Sequence, residues 1–155
     1  MEMNEERRAF LNMIAWSEIG PALLSISDNG YNIMVGSTPA RPLLFYGYED
    51  HPRIYNKSTN STAAGRYQHL ERYFDAYKKQ LNLPDFGYTS QDAIALQQIL
   101  ECRAIPDIDG GRIESAIAKC AHIWASLPGN NYGQHANKLA VLVAIYNQHL
   151  SGPSA

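Results

Sequence analysis

The chain has 155 residues, 45% of them hydrophobic and 18% charged, with a formal net charge of -2. That size and composition describe one globular domain able to withdraw roughly 70% of its unfolded surface from water, which excludes a disordered chain. The 13 Lys and Arg residues are scattered, which excludes a nucleic-acid binder built on clustered cations.

The first predicted element is a helix that starts from Asn4 as N-cap, carries Glu5 and Glu6 in its first turn and runs to Ser17 or Glu18. Gly20-Pro21 is expected to stop it, because proline cannot continue the hydrogen-bond ladder and restricts the residue before it. From Asp28 to Tyr55 the chain turns to glycine, proline, β-branched and aromatic residues. Tyr31–Val35 and Leu43–Tyr46 are candidate strands there, around a Pro-containing turn, and predict a small antiparallel β element. Asn56 to Thr62 reads as a loop. Four further helices are expected, over Ala64–Leu81, Gln91–Arg103, Arg112–Ser126 and Gln134–Leu150, with Ser90 as N-cap of the second. Pro84, Pro106, Gly110-Gly111 and Pro128-Gly129 separate them. Leu139 to Ile145 is apolar on every face, which predicts a helix surrounded by others. The expected class is α+β, a single domain over 1–155 with a β insertion at about 28–60.

Cys102 and Cys120 are too few for a disulfide framework and lack CxxC spacing, so a reducing cytosol is the expected compartment. The amino terminus is acidic, then basic, with no apolar stretch of signal-peptide type behind it. The longest apolar run, Leu139 to Tyr146, falls well short of the ~20 residues a bilayer demands. Action outside the cytosol then requires something else to release the protein.

Glu18 stands out on the first helix. At ~100° per residue it lies close in direction to Leu11 and between Ile14 and Ala15, on the inward stripe. It also sits at the helix's carboxyl end, where unpaired carbonyls oppose ionisation. Both effects push a carboxyl upward in pKa, as a general acid working near neutral pH requires. The alternative is a solvated glutamate at a helix end.

Several blocks occur in a specific order: Ala15-Trp16-Ser17-Glu18, Gly30 to Gly36, Asp50-His51-Pro52-Arg53, Ser61 to Gln68, Ser90 to Ile99 and Ile123 to Gly129. With them the chain closely resembles the endolysins of lambda-type bacteriophages over nearly its whole length. The resemblance implies a lysozyme-like fold, with a mainly helical lobe, a small β lobe and a cleft between them. It also implies a lytic transglycosylase that cleaves the β-1,4 bond between N-acetylmuramic acid and N-acetylglucosamine and leaves a 1,6-anhydro ring. The family's acid maps onto Glu18, in agreement with the positional argument. Relatives follow that glutamate with Gly-Thr, whereas this chain has Ile19-Gly20-Pro21.

A hydrolytic glycosidase needs two carboxyl groups, ~5–5.5 Å apart for retention or roughly 6.5–9.5 Å for inversion. Asp28, Glu49 and Asp50 are the candidates for a second. Many phage muramidases space a Glu, eight residues, an Asp or Cys, five residues and a Thr; counted from Glu18 those slots hold Ser27 and Ile33. Asp28 misses its slot by one residue; mainly on the resemblance, transglycosylation ranks above hydrolysis, with a hydrolytic muramidase and a catalytically inactive glycan-binding relative as alternatives. Asp28 and Asp50 also read as turn residues.

By resemblance Gln68 and Tyr67 line the cleft. A Gln amide both donates and accepts, which suits sugar hydroxyl and acetamido groups; the alternative for Tyr67 is packing with Leu70 and Phe74 at helical spacing. Tyr132 and Gln134 match a further family block and are candidate substrate contacts, although Gln134 also reads as a local cap. The five histidines have no metal-ligand spacing, so neither a metal nor a cofactor is expected. Trp16 and Trp124 are expected in the core, and Cys102 and Cys120 as small buried hydrophobes. The implied partners are peptidoglycan glycan strands and a holin that releases the protein from the host cytoplasm to the periplasm and wall. No membrane insertion is expected, and a monomer is.

Overall fold

The computed structural model describes residues 1–129 and 136–151. The described chain contains seven helices: α1 Glu5–Ile19, α2 Pro21–Ile26, α3 Glu71–Leu81, α4 Tyr88–Glu101, α5 Ile105–Asp109, α6 Ile113–Cys120 and α7 Leu139–Ser151. It divides into two compact units, one made of Met1–Glu18 with Ala95–Ala155, the other of Ile19–Ile94. The expected β insertion lies inside the second. No helix among the described residues is long and apolar enough to cross a membrane.

In the first unit α1 begins as expected, with the Asn4 side-chain oxygen accepting the Arg7 amide at 2.8 Å. Arg7 also grips Asp109 at the end of α5 through two hydrogen bonds, of 3.1 and 2.8 Å. Phe10, Leu11, Met13 and Ile14 of α1 are fully buried, as are Ile108, Ile117 and Leu142. Trp124 is buried as expected, and so is Cys120, while Cys102 is half-exposed. The helix expected to run through Ser126 ends at Cys120, and turns carry the chain on to Gly129. α5, which the reading of Pro106 as a breaker left out, has that proline in its first turn, where the missing N–H costs nothing.

α7 corrects another expectation. Its buried residues are Leu142 and Tyr146, and Val141 is 41% exposed. The helix lies on the surface with one side packed, and apolar residues such as Val141 remain on its exposed side.

The second unit begins with α2, where Gly20-Pro21 acts as a start instead of a stop. Gly20 takes φ 89° and Pro21 occupies the first helical position, for which its ring is already shaped. Beyond α2 the pairing is by isolated antiparallel bridges, Ile33 with Leu44, Met34 with Ala64, Thr38 with Arg41, Asn56 with Ser61 and Ala64 with His69. The two candidate strands do face each other, with Met34 N–H donating to Leu43 at 2.8 Å and Phe45 N–H to Asn32 at 3.0 Å. Neither forms a continuous strand among the described residues. Gly36 at φ 89° turns the chain just past one, Pro42 with no N–H to donate precedes the other, and the Ser37 hydroxyl hydrogen-bonds to Met34 and Leu43.

The helix expected from Ala64 begins only at Glu71. Ala64 and His69 exchange both backbone hydrogen bonds, at 3.1 and 2.8 Å, across a tight turn of Gly65, Arg66, Tyr67 and Gln68. Gly65 at φ 87° and Gln68 at φ 54° supply left-handed residues that a helix excludes. α3 ends on Asn82, also left-handed, whose N–H returns to Lys78 and Lys79. α4 starts at Tyr88, so Ser90 lies inside it and donates to Asp85 at 2.9 Å. The core of this unit gathers Phe45, Ala64, Phe74, Phe86 and Ile94.

Candidate active site

Glu18 occupies the last turn of α1, a turn with no basic residue. Its carboxyl is raised above the usual range; burial is the main cause, opposed by hydrogen bonds from the Ser126 hydroxyl and amide. The Ser126 hydroxyl donates to Glu18 Oε2 in a short hydrogen bond, and the Ser126 N–H approaches the same oxygen at 3.4 Å. Ser17 donates to the Ser126 hydroxyl at 2.8 Å and receives Asn137 Nδ2 at 2.9 Å. The Asn137 N–H also donates to the Ser126 carbonyl at 2.8 Å, which ties the two segments together.

Sequence reasoning singles out Glu18 as a candidate but not the side chains hydrogen-bonded behind it. Ser17 was legible as its neighbour, but Ser126 is 108 positions away and Asn137 lies 120 from Ser17, separations with no periodic signature.

In the second unit Gln68 is half-buried at the left-handed corner of its turn. Its amide nitrogen donates to the Gly65 carbonyl at 2.8 Å, so the turn orients the side chain. Tyr67 is fully buried and presents no surface to a glycan. Its packing is also not the helical pairing with Leu70 and Phe74. The ring lies edge-on to Tyr31, and the hydroxyl donates to Asp92 at 2.6 Å. Tyr132 and Gln134 lie outside the described residues.

The candidates for a second carboxylate are engaged or exposed. Asp28 Oδ2 accepts the Tyr48 hydroxyl at 2.7 Å and that of Tyr88 in a short bond, and the Tyr31 and Tyr88 rings pack with centroids 4.4 Å apart. Asp50 pairs with Arg53, which also holds Asp75 at 2.6 Å and Glu71 at 3.2 Å. Glu49 is exposed. The buried histidines are structural. His51 Nδ1 accepts the Arg53 amide, so its Nε2 carries the hydrogen donated to the His69 carbonyl at 2.9 Å, and His69 Nε2 donates to the Gln91 carbonyl. Among the described residues no group of three or more His, Cys, Asp or Glu could hold a metal ion.

Known proteins share this arrangement of chain. A solved structure of bacteriophage lambda lysozyme complexed with a chitohexasaccharide matches with a TM-score of 0.87 at 48% identity, covering 96% of each chain. A second structure of lysozyme from bacteriophage lambda matches at 0.79 and 46% identity, again over 96% of each. The fold is therefore lysozyme-like. The Endolysin family model matches residues 8–152. The endolysin of Escherichia phage lambda is 48% identical over 152 residues, 96% of this chain and 93% of the relative. That of Escherichia phage P2 is 45% identical over 147 residues, 89% and 88% of the two chains. The chain belongs to the endolysin family.

Proposed function

We propose that this endolysin degrades host peptidoglycan as a lytic transglycosylase, with Glu18 as its single acid and base. The supporting observation is the state of Glu18: a carboxyl raised by burial, with one oxygen held by donors from Ser126. In the first step Glu18 gives its proton to the glycosidic oxygen, and the bond from that oxygen to the anomeric carbon of N-acetylmuramic acid breaks. Positive charge spreads over the anomeric carbon and ring oxygen. The 6-hydroxyl of the same sugar then attacks the anomeric carbon while the Glu18 carboxylate takes its proton. The 1,6-anhydro ring closes, and the acid is restored. An intramolecular nucleophile gains from proximity, so a second carboxylate to activate water is not required.

The engagement of Asp28 with two tyrosine hydroxyls favours this reading over hydrolysis. We further assign Gln68 as a glycan contact. The lambda lysozyme relative complexed with a chitohexasaccharide supports an oligosaccharide of N-acetylated sugars as the bound unit. Tyr67, by its burial, supports the turn that presents Gln68. Tyr132 and Gln134 are assigned as glycan contacts on the resemblance alone. Lysis by this route uses a monomer without a cofactor and needs a holin to open the inner membrane.

The test is digestion of purified peptidoglycan and mass spectrometry of the muropeptides. Anhydro ends, about 18 Da lighter than reducing ends through loss of one water, are expected. Reducing ends alone identify a hydrolytic muramidase and overturn the proposal, and absence of product identifies a binding relative.

A further inference from the structure

Two hydroxyls and an amide line up behind the Glu18 carboxyl, and their donors all point one way. Asn137 Nδ2 lies 2.9 Å from the Ser17 hydroxyl and 3.3 Å from the Ser17 backbone carbonyl. A carbonyl oxygen only accepts, so the amide of Asn137 is oriented with its nitrogen toward Ser17. Ser17, receiving that hydrogen, has its own hydroxyl hydrogen free for Ser126 at 2.8 Å. Ser126 in turn has one hydrogen to give, and it goes to Glu18 Oε2. The Ser126 backbone N–H, which cannot accept, approaches the same oxygen at 3.4 Å.

We infer that Asn137, Ser17 and Ser126 are positioning residues for the reaction, reserving Oε2 of Glu18 as an acceptor and so placing the catalytic proton on Oε1. This rests on Glu18 being the acid. A proton on Oε2 meets the Ser126 amide hydrogen and requires the Ser126 hydroxyl to turn from Glu18 toward Ser17, whose own hydrogen then keeps only the longer contact to the Ser126 carbonyl at 3.4 Å. A proton on Oε1 requires neither. These hydrogen bonds thereby settle which oxygen carries the proton to be given, and they hold the carboxylate that forms after the first proton transfer ready for the second. No proton is passed along them; they orient, and they stabilise the ionised form.

The groups that act on the Glu18 carboxyl are burial, which raises its pKa, and the Ser126 hydroxyl and amide, which lower it. Removing the hydroxyl must therefore move the pKa upward. Since the first step needs protonated Glu18, activity declines as pH rises through that pKa, and the alkaline limb of the profile shifts to higher pH.

The experiment compares Ser126→Ala, Ser126→Thr, Ser17→Ala and Glu18→Gln with the parent chain. Steady-state rates are taken on soluble glycan fragments across pH, and a carbon-13 label on the glutamate side-chain carboxyls follows the Glu18 titration directly. Ser126→Ala is expected to lower kcat about tenfold or more, the size of a lost hydrogen bond to a charged group, with KM changed by less than about twofold. Its Glu18 titration moves upward, and Ser126→Thr, which keeps the hydroxyl, recovers most of the rate. Ser17→Ala gives a smaller loss in the same direction and decides the matter if Ser126→Ala does not fold. A folded Ser126→Ala with unaltered kcat and titration, or a loss confined to KM, overturns the inference. Glu18→Gln separates the two readings. If it stays active, the assignment of the acid itself fails; if it is dead while the serine variants are silent, only the positioning chain fails.

Discussion

The Tyr67 hydroxyl donates to Asp92 Oδ1 at 2.6 Å in the interior of the second unit, and the same oxygen takes the Tyr31 hydroxyl at 2.9 Å. The Arg66 guanidinium lies over both rings, 5.4 Å from the centre of Tyr31 and 5.5 Å from that of Tyr67, and donates to the Tyr67 hydroxyl at 3.0 Å. One buried carboxylate thus anchors two phenols beside a buried cation. Asp92→Ala removes the acceptor that the two phenols share, and is expected to cost about 2–4 kcal/mol. Tyr67→Phe removes one donor to Asp92 and one acceptor of Arg66, and is expected to cost about 1–3 kcal/mol. Urea unfolding checks both, and an Asp92→Ala variant as stable as the parent removes the anchor from the account.

Glu18→Gln keeps the shape of the side chain and most of its hydrogen bonding but cannot supply the proton. Cleavage of peptidoglycan is expected to fall by at least ~10²–10⁴, the usual range for a general acid. Unfolding temperature and binding of a chito-oligosaccharide should stay near parental values. Substantial residual turnover would transfer the acid's role to another residue.

Gln68→Ala tests the sugar-contact assignment. Since the Gln68 amide nitrogen already donates to the Gly65 carbonyl, the side-chain oxygen is the group proposed to meet a sugar hydroxyl or acetamide N–H. Loss of one such neutral hydrogen bond is expected to weaken oligosaccharide binding roughly fivefold to tenfold. Isothermal titration with a chito-oligosaccharide on a Glu18→Gln background reads it without turnover, and unchanged affinity removes Gln68 from the site.

Gly65→Ala should be costly for two reasons that the geometry separates. Its φ of 87° disfavours any side chain, and an added Cβ would stand 2.3 Å from Gln91 Oε1. That oxygen is the acceptor for the Arg66 amide at 2.9 Å, so relief by moving Gln91 breaks another buried hydrogen bond. A loss of about 2–4 kcal/mol is expected in equilibrium unfolding, and a near-neutral effect is the contrary result.

Stability should also depend on pH through the buried histidines. Burial lowers His69 from its ordinary 6.5 to about 4, and lowers His51 in the same direction. The folded value lies below the unfolded one, so between them the unfolded chain binds more protons and stability rises with pH. The contribution is complete above about pH 6.5 and is lost as pH falls toward about 4, at up to about 1.4 kcal/mol per pH unit. Urea midpoints measured through this window should fall with acidity, and the fall should be shallower in His69→Phe. An identical slope in that variant would assign the acid sensitivity to other groups.

Much of the helical frame was legible because its signals are local. Asn4, Glu5 and Glu6 announce the start of α1, and Leu11, Ile14 and Ala15 mark its inner face, which also made Glu18 conspicuous. What escaped reading depended on partners far along the chain. Gly65 and Gln68 look like the opening of a helix until the exchange between Ala64 and His69 forces a turn. Gly20-Pro21 signals a break in either direction, and only the packing of Leu23 shows that a helix follows. Tyr67 was misplaced with that turn: its spacing suggested a helix face, whereas Asp92 holds it in the interior. The two candidate strands face each other only through isolated bridges and do not form the strands expected.

The separation of Glu18 from Ser126 also orders events during synthesis. The second unit is one continuous run, Ile19–Ile94, whereas the first is completed only by Ala95–Ala155 joining Met1–Glu18. A ribosome adds about 5–20 residues each second, so the glutamate leaves the exit tunnel several seconds before its donors at 126 and 137 are made. A nascent or prematurely terminated chain then carries the carboxylic acid without the hydroxyls that orient it. On the proposed mechanism, full chemical competence arrives only after translation has passed residue 137.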